Sequence, residues 1–160
     1  MGPKESIHDP LENSIPFLLR RTARYFRLGM QSRMRNYGLG ISHWFFLRAL
    51  WLEDGITQRE LCKRIEAAEP AAVMALGGLE RSGYIRRVRD KKNLRRIHIF
   101  ITPKGYALRD ELLPHAFELH ALGVKGISER NLTIVRATLD KIRNNMAEAL
   151  NGEIAGNHDL

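Results

Sequence analysis

Residues 57–102 constrain the fold of this chain most, because helical and strand patterns follow one another there with only short breaks. Thr57 and Glu60 have the spacing of a capping box, in which a hydroxyl and a carboxylate satisfy the first backbone groups of a helix. A second helix is predicted over Ala71–Ser82, since Pro70 suits its first turn. We expect its buried side to consist of Val73, Leu76 and Leu79.

A hairpin is predicted after these two helices. Strand patterns cover Tyr84–Arg89 and Arg96–Thr102, and the tip between them is Asp90–Arg95. In the second strand isoleucines alternate with other residues, so one face is expected to carry Ile97, Ile99 and Ile101. Two helices followed by a hairpin predict a winged helix-turn-helix, a mainly α fold (α+β) whose second helix can enter the major groove of DNA.

Positive charge is concentrated in two stretches of the chain, which has 160 residues and a formal net charge of +8. Residues 17–52 hold seven basic residues and no acidic one, and residues 84–96 hold seven basic residues and one acidic one. The remainder holds 12 basic residues (26 − 14) and 17 acidic residues (18 − 1). Focused positive charge favours a polyanion or an anionic ligand as a partner, although basic helices are also common as solvated surfaces.

Further helices are predicted on both sides of residues 57–102. Pro16 can open an amphipathic helix of roughly 20 residues, and Ser42 can cap an almost wholly apolar helix over His43–Leu52. A long helix is predicted from Pro103, with a kink at Pro114.

The last predicted helix begins after Ser128. Its apolar residues recur about every 3.5 positions, which is typical of a seam for another helix. The residues of this seam are Leu132, Val135, Leu139, Ile142, Met146 and Ala149. Residues 1–13 are polar and predicted to form a mobile arm, and residues 151–160 are predicted to fray.

Composition and motifs argue against several classes of protein. The single cysteine, Cys62, excludes an internal disulfide. No apolar run reaches the roughly 18 residues of a membrane span, so we expect a cytoplasmic protein. The histidines are scattered, and no catalytic triad order, phosphate loop or metal-ligand spacing is found. We therefore expect no enzyme activity, no metal and no other cofactor.

Three motifs act together as a family signature: Gly55-Ile56-Thr57-Gln58-Arg59-Glu60-Leu61, Leu79-Glu80-Arg81-Ser82-Gly83-Tyr84-Ile85, and Phe100-Ile101-Thr102-Pro103-Lys104-Gly105 after an arginine-rich hairpin. In this combination the chain resembles the MarR family of bacterial transcription regulators over roughly residues 16–146. The resemblance implies a homodimer joined by its first and last helices, which binds a pseudo-palindromic operator in double-stranded DNA. It also implies a small aromatic or acidic effector that weakens DNA binding.

The resemblance implies a division of the chain into four parts. Residues 42–102 form the winged helix-turn-helix DNA-binding domain, and residues 14–41 and 103–150 form the helical dimerisation region. The mobile arm and the frayed end lie outside both.

Residues for contact with DNA are expected on the helix-turn-helix and on the hairpin. The resemblance implies that Arg95 is the arginine at the tip of the wing, which can enter a narrow minor groove. The first turn of the reading helix offers Ala71, Ala72 and Met74, which cannot donate hydrogen bonds to bases but can touch thymine methyl groups. Thr57 and Gln58 are further candidates. Phosphate contacts are expected from Arg86, Arg87, Arg89, Lys91, Lys92 and Arg96.

Residues for an effector are implied on the first, second and fifth helices, and the aromatic residues between 17 and 51 suit a pocket or simply a core. A carboxylate or phosphate of the effector could be held by a stripe of arginines, although these could equally face solvent or DNA. The candidate residues are Arg20, Arg24, Phe26, Arg27, Met30, His43, Trp44, Leu47 and His115.

The chain departs from the family pattern at two places. Asn93 stands where relatives usually have an aspartate two residues before the wing arginine, so an ion pair that orders this arginine is in doubt. The reading helix lacks the usual serine, threonine or arginine and contains Gly77 and Gly78, which predicts a pliable helix with weak base discrimination.

We therefore expect a homodimeric repressor that a ligand releases from its operator. One alternative is a dimeric DNA-binding protein without a small-molecule switch. A second is a redox-responsive regulator that acts through Cys62, although its apolar neighbours favour a packing role. A third is a small-molecule carrier or helical interaction module whose basic hairpin is incidental.

Overall fold

The structure is a computed structural model that describes residues 12–156. Within this range six helices and one two-stranded sheet follow one another, so the prediction of a mainly α fold with a small sheet is confirmed. The elements are α1 (Ile15–Arg35), α2 (Ile41–Leu52), α3 (Gln58–Arg64), α4 (Glu69–Arg81), β1 (Ile85–Arg89), β2 (Ile97–Ile101), α5 (Pro103–Gly123) and α6 (Glu129–Gly156).

The chain divides into two compact units, one ending at His120 and the other beginning at Ala121. In the part of the chain that the structure describes, no helix is long and apolar enough to cross a lipid bilayer. The predicted arm falls largely on residues 1–11, which lie outside the described residues.

The first unit is built around one apolar core to which all its helices and both strands contribute. Such a core supplies most of the stabilisation of a small domain, roughly 1.5–3 kcal/mol for each large side chain that is fully buried. Its largest fully buried side chains are Met34, Leu47, Leu50, Leu61, Leu76, Leu79, Ile85, Ile99 and Leu112.

Strands β1 and β2 form an antiparallel hairpin, which we call the wing, and its register pairs Ile85 with Ile101 and Arg89 with Ile97. The outer edge of β2 pairs with the loop before α3. The Gly55 N–H donates to the carbonyl of Ile99 at 2.9 Å, and the Ile99 N–H donates to the carbonyl of Ile56 at 2.9 Å. These bonds join the wing to the helix-turn-helix formed by α3 and α4.

The base of the wing packs closely against the start of α5. The indole N–H of Trp51 donates to the carbonyl of Gly105 at 3.1 Å, and the Thr102 hydroxyl donates to the carbonyl of Gly83 at 2.7 Å. Gly105 is buried there, and a Cβ on it would collide with the backbone carbonyl of Tyr84 and lie 2.9 Å from Cγ2 of Ile101. Only glycine therefore allows this approach of α5 to β1.

The structure corrects the predicted beginnings of two helices. Helix α2 begins at Ile41, and the backbone N–H of Gly40 donates to Nδ1 of His43 at 3.1 Å, so Ser42 is not the cap. Helix α4 begins at Glu69 rather than Ala71, because Pro70 already lies in its first turn. Each helix thus starts two residues earlier than predicted.

The phase of α4 is also corrected. Ala72 is fully buried, together with Ala75, Leu76 and Leu79, whereas half of the surface of Val73 is exposed. The prediction that Val73 is buried and that Ala72 faces DNA was therefore wrong. Ala72, rather than Val73, therefore occupies the inner position against the core.

The second unit contains the whole of the long helix α6, which continues to Gly156. The prediction of a frayed end from Asn151 is therefore wrong for residues 151–156, and residues 157–160 lie outside the described residues. Large apolar side chains are exposed along α6: Ile134, Val135, Leu139, Met146 and Leu150.

Candidate DNA interface and ligand pocket

The tip of the wing is a closed turn held by two short side chains. Asp90 accepts hydrogen bonds through Oδ1 from the backbone N–H groups of Lys92 (2.7 Å) and Asn93 (3.2 Å). These two bonds lower the pKa of the Asp90 carboxyl. Oδ1 of Asn93 accepts from the backbone N–H of Arg95 at 3.1 Å. The turn therefore leaves the side chains of Lys92 and Arg95 exposed on a backbone that is locally fixed.

Asn93 holds the backbone of the wing tip through hydrogen bonds. Its amide oxygen holds the backbone of Arg95, and its own carbonyl accepts from the backbone N–H of Arg96 at 2.8 Å. No ion pair of the Arg95 guanidinium occurs among the described residues. The departure at Asn93 thus leaves the Arg95 backbone ordered and its charge unpaired.

His98 connects the wing tip with the loop before α3. Its Nδ1 lies 2.8 Å from the carbonyl of Gly55, and its Nε2 lies 3.4 Å from Oδ2 of Asp90. The Gly55 carbonyl, followed by the Asp90 carboxylate, raises the pKa of His98. A protonated imidazole can donate to both oxygens, so its charge stabilises this connection.

The cations of the wing differ in whether their charges are paired within the protein. Arg87 is bound by Glu80 of α4, with Nε donating to Oε2 at 2.7 Å, and this guanidinium lowers the pKa of Glu80. The expectation that Arg87 binds a phosphate is therefore corrected, because its charge is already paired. Arg86 lies over the ring of Phe100, 4.5 Å from its centroid. The exposed cations of the wing with neither an ion pair nor a ring contact among the described residues are Arg89, Lys91, Lys92, Arg95 and Arg96.

A groove of about 560 Å³ separates the wing from the start of α3, and we call it the wing groove. It brings together four predicted residues, Thr57, Gln58, Arg95 and Arg96, which are far apart in sequence. It is lined by Thr57, Gln58, Arg59, Glu60, Glu69, Asn93, Arg95, Arg96 and Ile97. Two carboxylates in this groove offset part of its positive charge.

The capping box at the start of α3 is confirmed. The Thr57 hydroxyl donates to Oε2 of Glu60 at 2.7 Å and accepts from the Glu60 N–H at 3.2 Å. The hydroxyl and the backbone N–H of Thr57 lower the pKa of Glu60. Because the hydroxyl proton of Thr57 is used within the cap, this side chain has no donor left for DNA.

Helix α4 presents an apolar outer face at its first two turns. Met74 is 78% exposed, Val73 is 50% exposed, and Ala71 is exposed beside them. The predicted contact of Ala72 with a base is corrected, since this side chain is fully buried. Val73 takes its place on the outer face.

A second cavity, of about 360 Å³, lies between α1, α2 and α5, and we call it the α1–α2 pocket. Four of the predicted effector residues line it, namely Phe26, Arg27, Met30 and Trp44. Its walls are mostly apolar, and its charged or titratable side chains are Arg27, Arg48 and His120. The full lining is Ala23, Phe26, Arg27, Met30, Ile41, Trp44, Phe45, Arg48, Ala116, Leu119 and His120.

Five of the predicted effector residues do not line this pocket. Leu47 is fully buried in the core, and Nε2 of His115 lies 3.4 Å from the Tyr37 hydroxyl. Arg20 lies over the ring of Phe17, 5.2 Å from its centroid. The other two are Arg24 and His43.

His43 points in another direction because it takes part in the cap of α2. Its Nδ1 accepts from Gly40, its ring lies against Gly78 of α4, and burial lowers its pKa. Sequence reasoning missed Arg48 and His120. The signal for Arg48 was its position four residues after Trp44, on the same side of α2.

Comparison with known proteins agrees with these features. Residues 37–96 match the sequence model of the MarR family, a range that contains α2, the helix-turn-helix, and strand β1 and the tip of the wing. Over these 60 of its 160 residues the chain is similar to the MarR family. The predicted winged helix-turn-helix fold is confirmed by its likeness to solved structures.

Individual MarR-family proteins show how far the similarity extends. The chain is 29% identical over 134 residues to the HTH-type transcriptional regulator TtmR from Methylorubrum extorquens (strain PA1). This alignment covers 82% of the chain but only 65% of TtmR, so the chain spans about two thirds of that relative.

Two solved structures are similar over most of their length. A MarR transcriptional regulator from Methanosarcina mazei Go1 is 25% identical, with a TM-score of 0.78, over 84% of this chain and 96% of that one. A MarR-family regulator from Silicibacter pomeroyi is 28% identical, with a TM-score of 0.74, over 84% and 91%. Both of these similar proteins are described as transcriptional regulators.

Cys62 differs from the reactive thiols of redox sensors. It is buried in the core, and burial, followed by the charge of Glu69, raises the pKa of its thiol. Since the thiolate is the reactive form, a raised pKa and poor access both disfavour oxidation. The structure thus favours the packing role for Cys62.

Proposed function

We propose that this protein is a homodimeric transcriptional regulator that binds double-stranded DNA at a pseudo-palindromic operator. The observation that carries the proposal is Arg95, an unpaired guanidinium on a locally fixed turn beside the wing groove. The exposed outer face of α4 belongs to the helix that this fold places in the major groove. A MarR-family fold is also present in the S. aureus MepR–DNA complex, which supports the same mode of binding.

In this proposal different residues of the wing contact different parts of the DNA. Arg95 enters the minor groove, where narrow A·T-rich segments attract arginine. Lys91, Lys92 and Arg96 at the tip neutralise phosphates, and so do the exposed side chains of Arg86 and Arg89 on β1. Gln58 lines the wing groove and reaches the backbone from the start of α3.

The proposed dimer interface consists of apolar side chains that are exposed along the terminal helices. On α1 these include Leu18, Tyr25 and Leu28, and on α6 they include Val135 and Leu139. Monomeric proteins rarely expose so many large apolar groups along one helix. A dimer would bury them and would place two reading helices about one helical turn of DNA apart.

The effector is proposed to be a small aromatic acid or its thioester, bound in the α1–α2 pocket. Apolar walls suit a planar ring, and Arg27, Arg48 and His120 can hold a carboxylate or phosphate. CouR, which shares the fold, was solved with p-coumaroyl-CoA bound. The ligand releases the repressor if it binds more tightly to a dimer whose reading helices are spaced wrongly for the operator.

Gel-shift titration of the protein on the DNA upstream of its own gene tests DNA binding. Specific binding is expected to weaken steeply from 50 to 200 mM salt, because several phosphates are neutralised. Binding that does not depend on salt would contradict the part assigned to the wing. Equilibrium sedimentation of the same sample tests the dimer.

A second titration, with aromatic acids and their coenzyme A thioesters, tests the effector. Release of the DNA is expected for the wild type and is expected to be lost in Arg27→Ala. The control is Arg130→Ala, an exposed arginine on α6 that does not line the pocket. If no such compound releases the DNA, the protein is a DNA-binding dimer without this switch.

A further inference from the structure

The outer face of α4 combines large apolar groups with a lack of free hydrogen-bonding groups. Val73 and Met74 are exposed there, and the neighbouring positions on this face are Ala71 and Gly77. Glu80, further along the helix, is engaged by Arg87. Polar side chains remain only at the two ends of the helix, so its centre cannot read a base edge by hydrogen bonding.

The fold itself does not require these two side chains. The inner side of α4 is already filled by Ala72, Ala75, Leu76 and Leu79, all of them buried. Single exposed apolar residues are common on protein surfaces and need no explanation. Two adjacent ones, on the helix that this fold places in the major groove, lie where they would meet bases.

The major groove offers one apolar feature to such side chains, the C5 methyl group of thymine. We propose that Val73 and Met74 recognise the operator through these methyl groups. 5-Methylcytosine carries a methyl group at the same place in the groove, so it would be accepted as well. This inference rests on the proposed DNA-binding function and specifies which chemical group of the operator α4 recognises.

Gly77 supports this mode of recognition. It follows Met74 by one turn of α4 and has no side chain that could hold the helix away from the base edges. The guanidinium of Arg81 lies beside it, with Nη1 3.4 Å from the place of a Cβ on Gly77. The cation therefore reaches back towards the apolar face and can bind a phosphate while the two apolar side chains touch methyl groups.

The test replaces thymine by uracil in a duplex that the protein itself selects from a random pool. Deoxyuridine keeps the base pairing and the charge and removes only the C5 methyl group. We expect the affinity to fall about fourfold for each contacted methyl group, from the transfer free energy of one buried carbon. A second series uses positions that tolerate either pyrimidine and carry deoxycytidine, which lacks the C5 methyl group. There 5-methyldeoxycytidine should restore part of the affinity that is lost without the methyl group.

Protein variants separate contact with methyl groups from changes in DNA shape. Met74→Ala is expected to bind the thymine duplex more weakly and to lose most of its sensitivity to uracil. Leu52→Ala is a matched control, because Leu52 is also 78% exposed but lies at the end of α2. This control is expected to keep the affinity and the uracil sensitivity of the wild type.

The outcomes distinguish this inference from the proposed function. Tight, selective binding that is equal for thymine and uracil duplexes would overturn the methyl readout and leave DNA binding intact. Equal uracil sensitivity in Met74→Ala and Leu52→Ala would also overturn it. If the pool yields no selected sequence, both the proposed function and this inference are wrong.

Discussion

The wing and helix α4 are the two parts of the molecule that we expect to contact DNA, and they are built in opposite ways. The wing tip carries several cations on a turn whose backbone is fixed by Asp90 and Asn93. Helix α4 is fixed by its buried side and presents mainly Val73 and Met74 outward. The wing therefore presents mainly positive charge to DNA, and helix α4 presents mainly an apolar surface.

This difference assigns separate tasks to the two parts. Contacts with phosphates supply affinity that depends on salt but hardly on sequence, whereas contacts with base edges supply specificity. Changes in the phosphate-binding cations of the wing should thus weaken binding to all sequences alike. Changes on α4 should mainly alter the preference between sequences.

The largest effect is expected at the base of the wing. Gly105→Ala would press a methyl group into the backbone carbonyl of Tyr84, which no side-chain rotation can relieve. We expect the free energy of unfolding to fall by about 3 kcal/mol. Urea denaturation measures this loss, and gel shifts should show weaker DNA binding because the wing is displaced. A loss below about 1 kcal/mol would mean that α5 and β1 can separate without cost.

The next largest effect is expected for Arg95→Ala, which removes the side chain assigned to the minor groove. We expect the affinity for DNA to fall about tenfold to a hundredfold, or roughly 1–3 kcal/mol. Lys91→Ala at the same tip is the matched control, with a loss of a few-fold and a salt slope lower by about one. If the two variants behave alike, Arg95 is one phosphate contact among several.

The connection between the wing and the loop before α3 should depend on pH through His98. The carbonyl of Gly55 and the carboxylate of Asp90 face the imidazole, the Glu60 carboxylate lies near it, and together they raise its pKa. The stabilisation is therefore fully present below the unfolded pKa, about 6.5, and is lost as the pH rises through the higher folded value.

Urea denaturation of the wild type and of His98→Gln between pH 5 and 8 measures this dependence. The stability difference between the two proteins is expected to shrink as the pH rises. Asp90→Asn, which keeps the shape of the side chain, should flatten the dependence. A difference that grows with pH would show that neutral His98 makes the stronger contact.

Local patterns in the sequence predicted much of the fold. The capping box of Thr57 and Glu60 and the isoleucine face of β2 are confirmed, because each depends only on spacing within a few residues. The position of Arg95 at the wing tip followed from the strand patterns on both sides of it, and the family resemblance agreed with it. Asn93 already put an ion pair of Arg95 in doubt, but the hydrogen bond from the Arg95 N–H to Oδ1 of Asn93 was not predicted.

Features that depend on packing between elements were not predicted. The predicted burial of Ala72 and Val73 was reversed. Small apolar residues surround both, so periodicity alone does not determine which side of α4 faces the core. The pairing of Arg87 with Glu80 arises where β1 meets α4. The pocket residues Arg48 and His120 likewise come together only through packing.

The smallest expected effects on stability concern the two central glycines of α4. Replacing each of them in turn compares the outer face of this helix with its inner face. A Cβ on Gly77 meets only the end of Arg81 at 3.4 Å, whereas a Cβ on Gly78 lies 2.8 Å from Nε2 of His43. Gly77→Ala should therefore raise the free energy of unfolding by about 1 kcal/mol, from helix propensity alone. Gly78→Ala gains the same stability from helix propensity but loses more through the clash with the His43 ring. This ring cannot easily move away, because its Nδ1 accepts a hydrogen bond from the N–H of Gly40.

Paired urea denaturation curves of the two variants should differ by about 2 kcal/mol, with Gly78→Ala the less stable. Gly77→Ala is the more informative of the two for DNA binding. If α4 is kept pliable in order to fit the base edges, the stiffer variant will bind the selected duplex less selectively despite its higher stability. If selectivity is unchanged, the outer face of α4 reads DNA as a rigid surface, and Gly77 serves only to leave room for Arg81.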